Sequence, residues 1–400
     1  MKKVGIFYHW FAHYREPIIR ELQNRLGEEF EFEFIADAVA SEPAMEVLDS
    51  AEFKAILGSD TGFSRVRNIN FAGFIWQVGA IWKAFSGKYD SVIFLGEFRI
   101  LSSWFAILAA KLRGSRTYFW SHGVYGNESW LKLRIRLMFY RLADGMLLYG
   151  NRSRILMESM GFSQKQLHIV FNSLDYQKQI AMRDNVHGDK QSFRTKFFPN
   201  SPNDPVLIFI GRITKIKKLS LLIRVVQMLS ESDQPVNLLV VGEGPELTSL
   251  TQLTNQLGIQ ERVCFFGSCH DEKVLSAHLV HADICVSPGN VGLLAMHSLV
   301  YGTPVVTHGD LSNQMPEVEA IVEGRTGGFF DRADIDSLYA TLTKWLDIIS
   351  KNPAKVQADC YEIIERFYKP SVQCEVLRAA CSGHEAKLTP VELSLSLIHI

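Results

Sequence analysis

The stretch Asp283-Ile-Cys-Val-Ser-Pro-Gly-Asn-Val-Gly-Leu-Leu-Ala-Met-His-Ser-Leu-Val-Tyr-Gly302 decides how this chain is read. Ile284 to Val286 make an apolar run of strand length, and Ser287-Pro288-Gly289-Asn290 are turn residues. A helix is predicted from about Val291 to the stop at Gly302, and a second buried strand from Pro304 to Thr307. A strand, a tight turn and a helix leave the first helical amides unpaired beyond the strand's carboxyl end, where they can hold an anion or a sugar hydroxyl. By itself the same stretch equally suits a plain strand-loop-helix joint.

Outward from it, apolar runs of strand length alternate with helical periodicity along most of the chain. Val4–Tyr8, Phe30–Ile35, Ser91–Leu95, Thr117–Trp120 and Gly145–Tyr149 read as strands in the first half. Val206–Ile210, Val236–Val241 and Val263–Phe266 do so in the second. Helices are expected between them, including one over Phe74–Phe85 and a basic, apolar one over Trp130–Leu142. Such alternation means doubly wound parallel sheets. Periodicity fades between Asn172 and Asp204, which reads as a segment between domains. The expected organisation is a first domain over 1–175, a linker over 176–204, a second domain over 205–370 and a tail over 371–400.

Composition narrows the function. The chain has 400 residues, 47% of them hydrophobic, which suits two cores rather than one. A net charge of −1 gives no bulk attraction to nucleic acid, which excludes a general DNA or RNA binder. The six cysteines have no paired short spacing, so neither a zinc site nor a disulfide framework is indicated. The apolar run after Met1-Lys2-Lys3 is too short for a leader or a membrane span, so a cytoplasmic protein is expected.

Four stretches carry candidate chemistry. Gly211-Arg212-Ile213 follows a strand, with Lys217-Lys218 close behind. Arg212 and Lys217 can neutralise a departing diphosphate, although a solvated basic loop reads the same way. Gly242-Glu243-Gly244-Pro245 is a second tight turn, and it lacks the third glycine of a dinucleotide fingerprint, so no nicotinamide cofactor is expected. Trp120-Ser121-His122-Gly123 puts His122 at a strand's carboxyl edge, where it can meet a substrate hydroxyl or cap the next helix. Gly96-Glu97-Phe98-Arg99 ends another strand, so Glu97 and Arg99 either line the same face or pair with each other. The basic helix near Trp130 suits an anionic membrane surface, or simply the cover of a sheet.

Together these residues resemble the nucleotide-sugar-dependent glycosyltransferases of GT-B fold, in particular retaining family 4, the glycosyl transferases group 1. Gly211-Arg212-Ile213 with Lys217, Val241 to Pro245, Arg262-Val263 with Phe266-Gly267, Asp283 to Pro288, Tyr301 to Val306 and Pro316-Glu317-Val318 match that family's donor-site signatures in order. Ser121-His122-Gly123 and Asn172-Ser173-Leu174-Asp175 resemble its N-terminal ones. One departure stands out: aligned back from Gly302, Gly289 and His297 occupy the positions of the family's usual pair of glutamates.

The resemblance implies two Rossmann-like α/β domains facing each other across a cleft, and transfer of a sugar from a nucleotide-diphosphate donor to a glycan or lipid-linked acceptor with retention. It assigns His122, Arg212 and Lys217 to catalysis. Donor contacts fall to Gly211, Gly242, Gly244, Val263, Gly289, Asn290, His297 and the amides of Val291, Gly292 and Leu293, and acceptor contacts to Arg15 and Glu97. No resident cofactor or metal is expected, the nucleotide sugar being a co-substrate. Polysaccharide biosynthesis, with peripheral contact on the cytosolic face of a membrane, follows as an expectation. The alternatives are a sugar-nucleotide epimerase or hydrolase of the same fold, or a non-catalytic nucleotide-sugar-binding subunit.

Overall fold

A computed structural model describes residues 1–39, 47–58 and 62–383. The chain divides into two units, one of Met1–Leu174 joined by 369–383, the other of Asp175–Tyr368.

The first unit is built on a seven-stranded sheet. Its strands are β1 (Lys2–Phe7), β2 (Phe30–Ala36), β3 (Phe63–Arg65), β6 (Ser91–Leu95), β7 (Arg116–Ser121), β8 (Gly145–Leu148) and β9 (Leu167–Ile169), in the order β3-β2-β1-β6-β7-β8-β9. Every pairing is parallel. Val4–Phe7 of β1, Val92–Phe94 of β6 and all of β8 are buried, so the centre of the sheet reads as continuous apolar runs, whereas β2 carries Glu31 and Glu33 and the edge strand β3 carries Ser64 and Arg65. Val4, Ile6 and Tyr8 fall in one cluster, with residues of α1 (Glu16–Leu26) and α2 (Ser50–Leu57). Phe7 and Phe94 pack in the other, with α3 (Ala80–Ser86), α4 (Leu101–Leu112), α5 (Trp130–Tyr140) and α6 (Asn151–Ser159).

The helix expected over Phe74–Phe85 is instead two elements. Arg67–Phe71 (β4) and Phe74–Val78 (β5) make an antiparallel hairpin, and only Ala80–Ser86 is helical. Phe74-Ile75-Trp76-Gln77-Val78 is rich in residues that favour strands. Gly79, at φ 89°, then turns the chain into α3.

The second unit has a six-stranded parallel sheet of β10 (Val206–Ile210), β11 (Asn237–Val241), β12 (Val263–Gly267), β13 (Ile284–Ser287), β14 (Val305–His308) and β15 (Gly327–Phe330), ordered β12-β11-β10-β13-β14-β15. The segment read as a linker is not loose. It holds α7 (Tyr176–Asp184) and α8 (Lys190–Phe197), each capped by an aspartate, Asp175 and Asp189. Lys190 and Arg194 clamp the carboxylate of Asp283 at 2.8 Å each, and Asp283 also accepts the amide of Val206 at 2.7 Å. After α9 (Leu219–Ser230), α10 (Leu247–Gln256), α11 (Glu272–His281), α12 (Leu293–Val300), α13 (Ile335–Lys351) and α14 (Pro353–Phe367), the chain returns to the first unit. Pro370–Ser382 (α15), read as tail, buries Val376, Leu377 and Ala380 in the first unit's core, and Tyr118 donates to the Ala380 carbonyl at 2.6 Å. The rest of the predicted tail lies outside the described residues.

Candidate active site

In an open parallel sheet, ligands bind beyond the carboxyl ends of the strands where the strand order reverses. That point lies between β1 and β6 in the first unit and between β10 and β13 in the second.

In the second unit it is a cradle of closely approaching backbone. Gly242, at φ 142°, lies so near the preceding loop that a Cβ there would stand 2.0 Å from the Gly211 carbonyl oxygen. A Cβ on Gly289 would stand 2.0 Å from the Ile216 carbonyl. The loops are laced by main-chain bonds: Gly211 to the Val241 carbonyl at 2.9 Å, Ile213 to Glu243 at 2.8 Å and Gly289 to Lys217 at 3.0 Å. Glycine at these positions therefore serves loop-against-loop packing. Lys217, half-buried, reaches across the reversal and donates to the main-chain and side-chain oxygens of Asn290 at 2.8 and 3.0 Å, and burial lowers its pKa. Arg212 is exposed.

So Gly211, Gly242, Gly244, Lys217, Gly289 and Asn290 come together. Other assignments need correction. Val263 opens β12 opposite Leu238, at the amino end of the sheet and buried, while Gly267 at the other end accepts the Gly242 amide at 2.8 Å. The Val291 amide, expected to be open to ligand, donates to Gln314 Oε1 at 2.7 Å. The amides of Gly292 and Leu293, at the start of α12, have no acceptor among the described residues. His297 bonds Glu272 Oε1 at 3.0 Å, and Tyr301 donates to the same oxygen. Burial of Glu272 would raise its pKa, but the bonds from His297 and Tyr301 bring it down to about 2. Gln314 and Glu272 carried no signal in the sequence, because both act through partners distant along the chain.

In the first unit the reversal opens into a cavity of about 630 Å³ that His9, Arg15, Glu97, Arg99, His122 and Tyr149 help to line. His122 follows β7, its ring 4.7 Å from that of Tyr149. Its pKa is lowered to about 4 by burial and then by the charges of Arg15 and Arg136, so the imidazole is neutral near pH 7. His9 is lowered to about 4 for the same leading reason. Nδ1 of each is buried with no partner among the described residues. Glu97 pairs with Arg99 at 2.9 Å as well as lining the cavity. Burial opposes its ionisation, and the bonds from Arg99 outweigh that and lower its pKa. Thus His122, Arg15 and Glu97 meet at one cavity.

The frame around this cavity is rigid. Ser121 Oγ lies 2.7 Å from the Tyr140 hydroxyl and donates to the Gly96 carbonyl at 3.1 Å, which ties the ends of β6 and β7. The hairpin missed in the sequence supplies a wall. Asn68 donates to the His9 carbonyl at 2.7 Å and Gln77 to the Tyr8 carbonyl at 2.9 Å, which fixes the loop after β1.

Residues 191–359 match the family described as Glycosyl transferases group 1. Over 144 residues, 34% of this chain and 36% of the relative, the chain is 28% identical to a GDP-mannose-dependent alpha-(1-6)-phosphatidylinositol monomannoside mannosyltransferase of Mycolicibacterium smegmatis. Over 191 residues, 44% of this chain and 39% of the relative, it is 30% identical to a D-inositol 3-phosphate glycosyltransferase of Nocardia farcinica. The chain spans less than half the length of the curated relatives it matches first, 36% to 47%. Among solved structures, HepE of Anabaena in complex with UDP superposes with a TM-score of 0.70 at 14% identity, covering 96% of this chain and all of that one. The apo lipopolysaccharide outer core galactosyltransferase WaaB gives 0.67 at 15% identity, covering 95% and 99%. The fold is that of the GT-B glycosyltransferases, with two Rossmann-like units.

Proposed function

We propose, from the match of residues 191–359 to the glycosyl transferases group 1 family and from the geometry above, that the chain moves a sugar from a nucleotide-diphosphate donor to a glycan or lipid-linked acceptor, with the anomeric configuration retained. The observation that carries the donor side is the cradle at the reversal between β10 and β13. Bare backbone at Gly211, Gly242 and Gly289, the amides of Gly292 and Leu293, unpaired among the described residues, and the Lys217 ammonium come together there, and the exposed Arg212 follows Gly211 in the same loop. Amides at a helix start and a nearby arginine suit a diphosphate whose charge grows as the glycosidic bond breaks. In this reading they act without a metal. Asn290, fixed by Lys217, offers a side-chain amide next to Gly289, the position at which the family usually has a carboxylate. On the acceptor side His122 is neutral at working pH, so it offers one donor and one acceptor to hydroxyls rather than a charge.

The donor reading also bears on where the protein works. Among the described residues no helix is long and apolar enough to cross a membrane. Trp130, Leu131 and Met138 are exposed on α5 along with Lys132 and Arg134, and Trp82, Phe85, Phe105 and Leu112 are exposed on α3 and α4. Apolar side chains interleaved with cations support peripheral contact with an anionic bilayer, where a lipid-linked acceptor would be met. Co-sedimentation with vesicles containing acidic lipid, lost in high salt, is the expected result.

A panel of nucleotide sugars, with released nucleotide followed, tests the activity. Slow release that an acceptor accelerates is expected. Epimer formation without acceptor, or binding with no turnover under any acceptor, would replace this reading.

A further inference from the structure

Arg15 is a buried cation without a counter-ion among the described residues. It stands between a short helical turn and α1 and is 7% exposed. Its guanidinium lies 4.9 Å from the Trp120 ring centre, 5.2 Å from that of Tyr8, and 5.5 Å from those of Tyr14 and Tyr149. One nitrogen donates to the Tyr149 hydroxyl. Among the described residues it forms no salt bridge, whereas Arg136, buried in the same region, holds Glu128 at 2.6 Å.

Burying a charge is costly unless an opposite charge or enough acceptors meet it. Aromatic faces meet part of that cost. They also leave the planar fork of N–H donors largely unfilled, and this fork matches the oxygens of a carboxylate or phosphate. The cavity that Arg15 lines has a matching bias. Of its charged lining, Arg99 pairs with Glu97 and Arg136 with Glu128, which leaves the charge of Arg15 unmatched among the described residues. The unpartnered ring nitrogens of His9 and His122 stand at the same cavity.

We propose that this cavity takes an acidic group of the acceptor, a carboxylate or a phosphate, with Arg15 as its counter-charge. The acceptor would then be an acidic or phosphorylated sugar, its anion held by Arg15 and its hydroxyls by the neutral imidazoles. This rests on the acceptor-side reading above and narrows it to anionic substrates.

Isothermal titration of the full chain, without any nucleotide sugar, separates the two ideas. The probes are methyl glucuronide, glucose 1-phosphate and neutral methyl glucoside. At least tenfold tighter binding of a charged probe than of the neutral one is expected, and the tighter of the two charged probes identifies the anion. Arg15→Lys should weaken the charged probe at least tenfold while the neutral probe keeps its affinity. Equal binding of charged and neutral probes, or no saturable binding of any, overturns the proposal. If Arg15→Lys does not fold, the comparison in the parent protein alone decides. Donor-driven nucleotide release is read in the absence of these probes, so it can succeed while this proposal fails.

Discussion

Gln314 Oε1 accepts the main-chain amide of Val291 at 2.7 Å, while its Nε2 donates to Thr307 Oγ1 at 3.0 Å and to the His308 carbonyl at 2.9 Å. Thr307 Oγ1 in turn donates to the carbonyls of Ser287 and Gly289 at 2.8 and 3.2 Å. One buried amide thus fixes the turn between β13 and α12 from behind. Replacing Gln314 by Ala leaves a buried N–H without an acceptor, at about 1–3 kcal/mol. Denaturant unfolding should show that loss, and nucleotide affinity should fall with it. An unchanged midpoint and affinity would mean the turn holds itself.

Arg212 and Lys217 should separate in their effects. Arg212 is exposed, so Arg212→Ala should leave stability within about 0.5 kcal/mol. Its effect should fall on transfer, up to a few kcal/mol of barrier. Lys217→Ala removes the tether on Asn290 as well, so both the melting temperature and the transfer rate should drop. Parallel melting curves and nucleotide-release rates check this, and two variants turning over like the parent would displace both from the site.

Glycine substitutions grade the cradle. Gly242→Ala puts a methyl 2.0 Å from the Gly211 carbonyl and should cost about 4 kcal/mol or more, or abolish folding. Gly258, at φ 69°, has nothing within 4 Å of such a methyl, so Gly258→Ala should cost only the left-handed strain of about 1–2 kcal/mol. Soluble yield and unfolding midpoints distinguish them.

Acid should destabilise the fold in two stages. His9, His122, His278 and His308 are each lowered to about 4, with burial the leading cause. The unfolded chain therefore takes up their protons first, and stability is fully present above about 6.5 and lost as pH falls towards 4. Glu33 and Glu272, held at about 2 by hydrogen bonds that outweigh their burial, lose their contribution only below about 4.5. Urea midpoints should be lower at pH 5.5 than at pH 7.5. A midpoint that is flat or rising towards acid would contradict the buried, neutral imidazoles. Transfer itself should show no titration of His122 near 6.5.

Local patterning determined most of the parallel strands and the loops that follow them, while the short edge strands Phe63–Arg65, Leu167–Ile169 and Gly327–Phe330 and the strand order with its two reversals came only with tertiary pairing. Apolar runs such as Val206–Ile210 and Asn237–Val241 carry that information within themselves, and turn glycines such as Gly242 mark their ends. Tertiary structure decided what depends on partners far along the chain. Residues 176–204 look like linker because α7 and α8 are short and polar, yet Asp283, far downstream, clamps α8 in place. Pro370–Ser382 looks like tail because its apolar face fits only the core of the first unit. The meeting of Arg15 with Trp120 and Tyr149, and of Gln314 with Val291, is likewise invisible in sequence, since hydrogen bonds and ring contacts answer to distance in space and leave no periodic trace along the backbone.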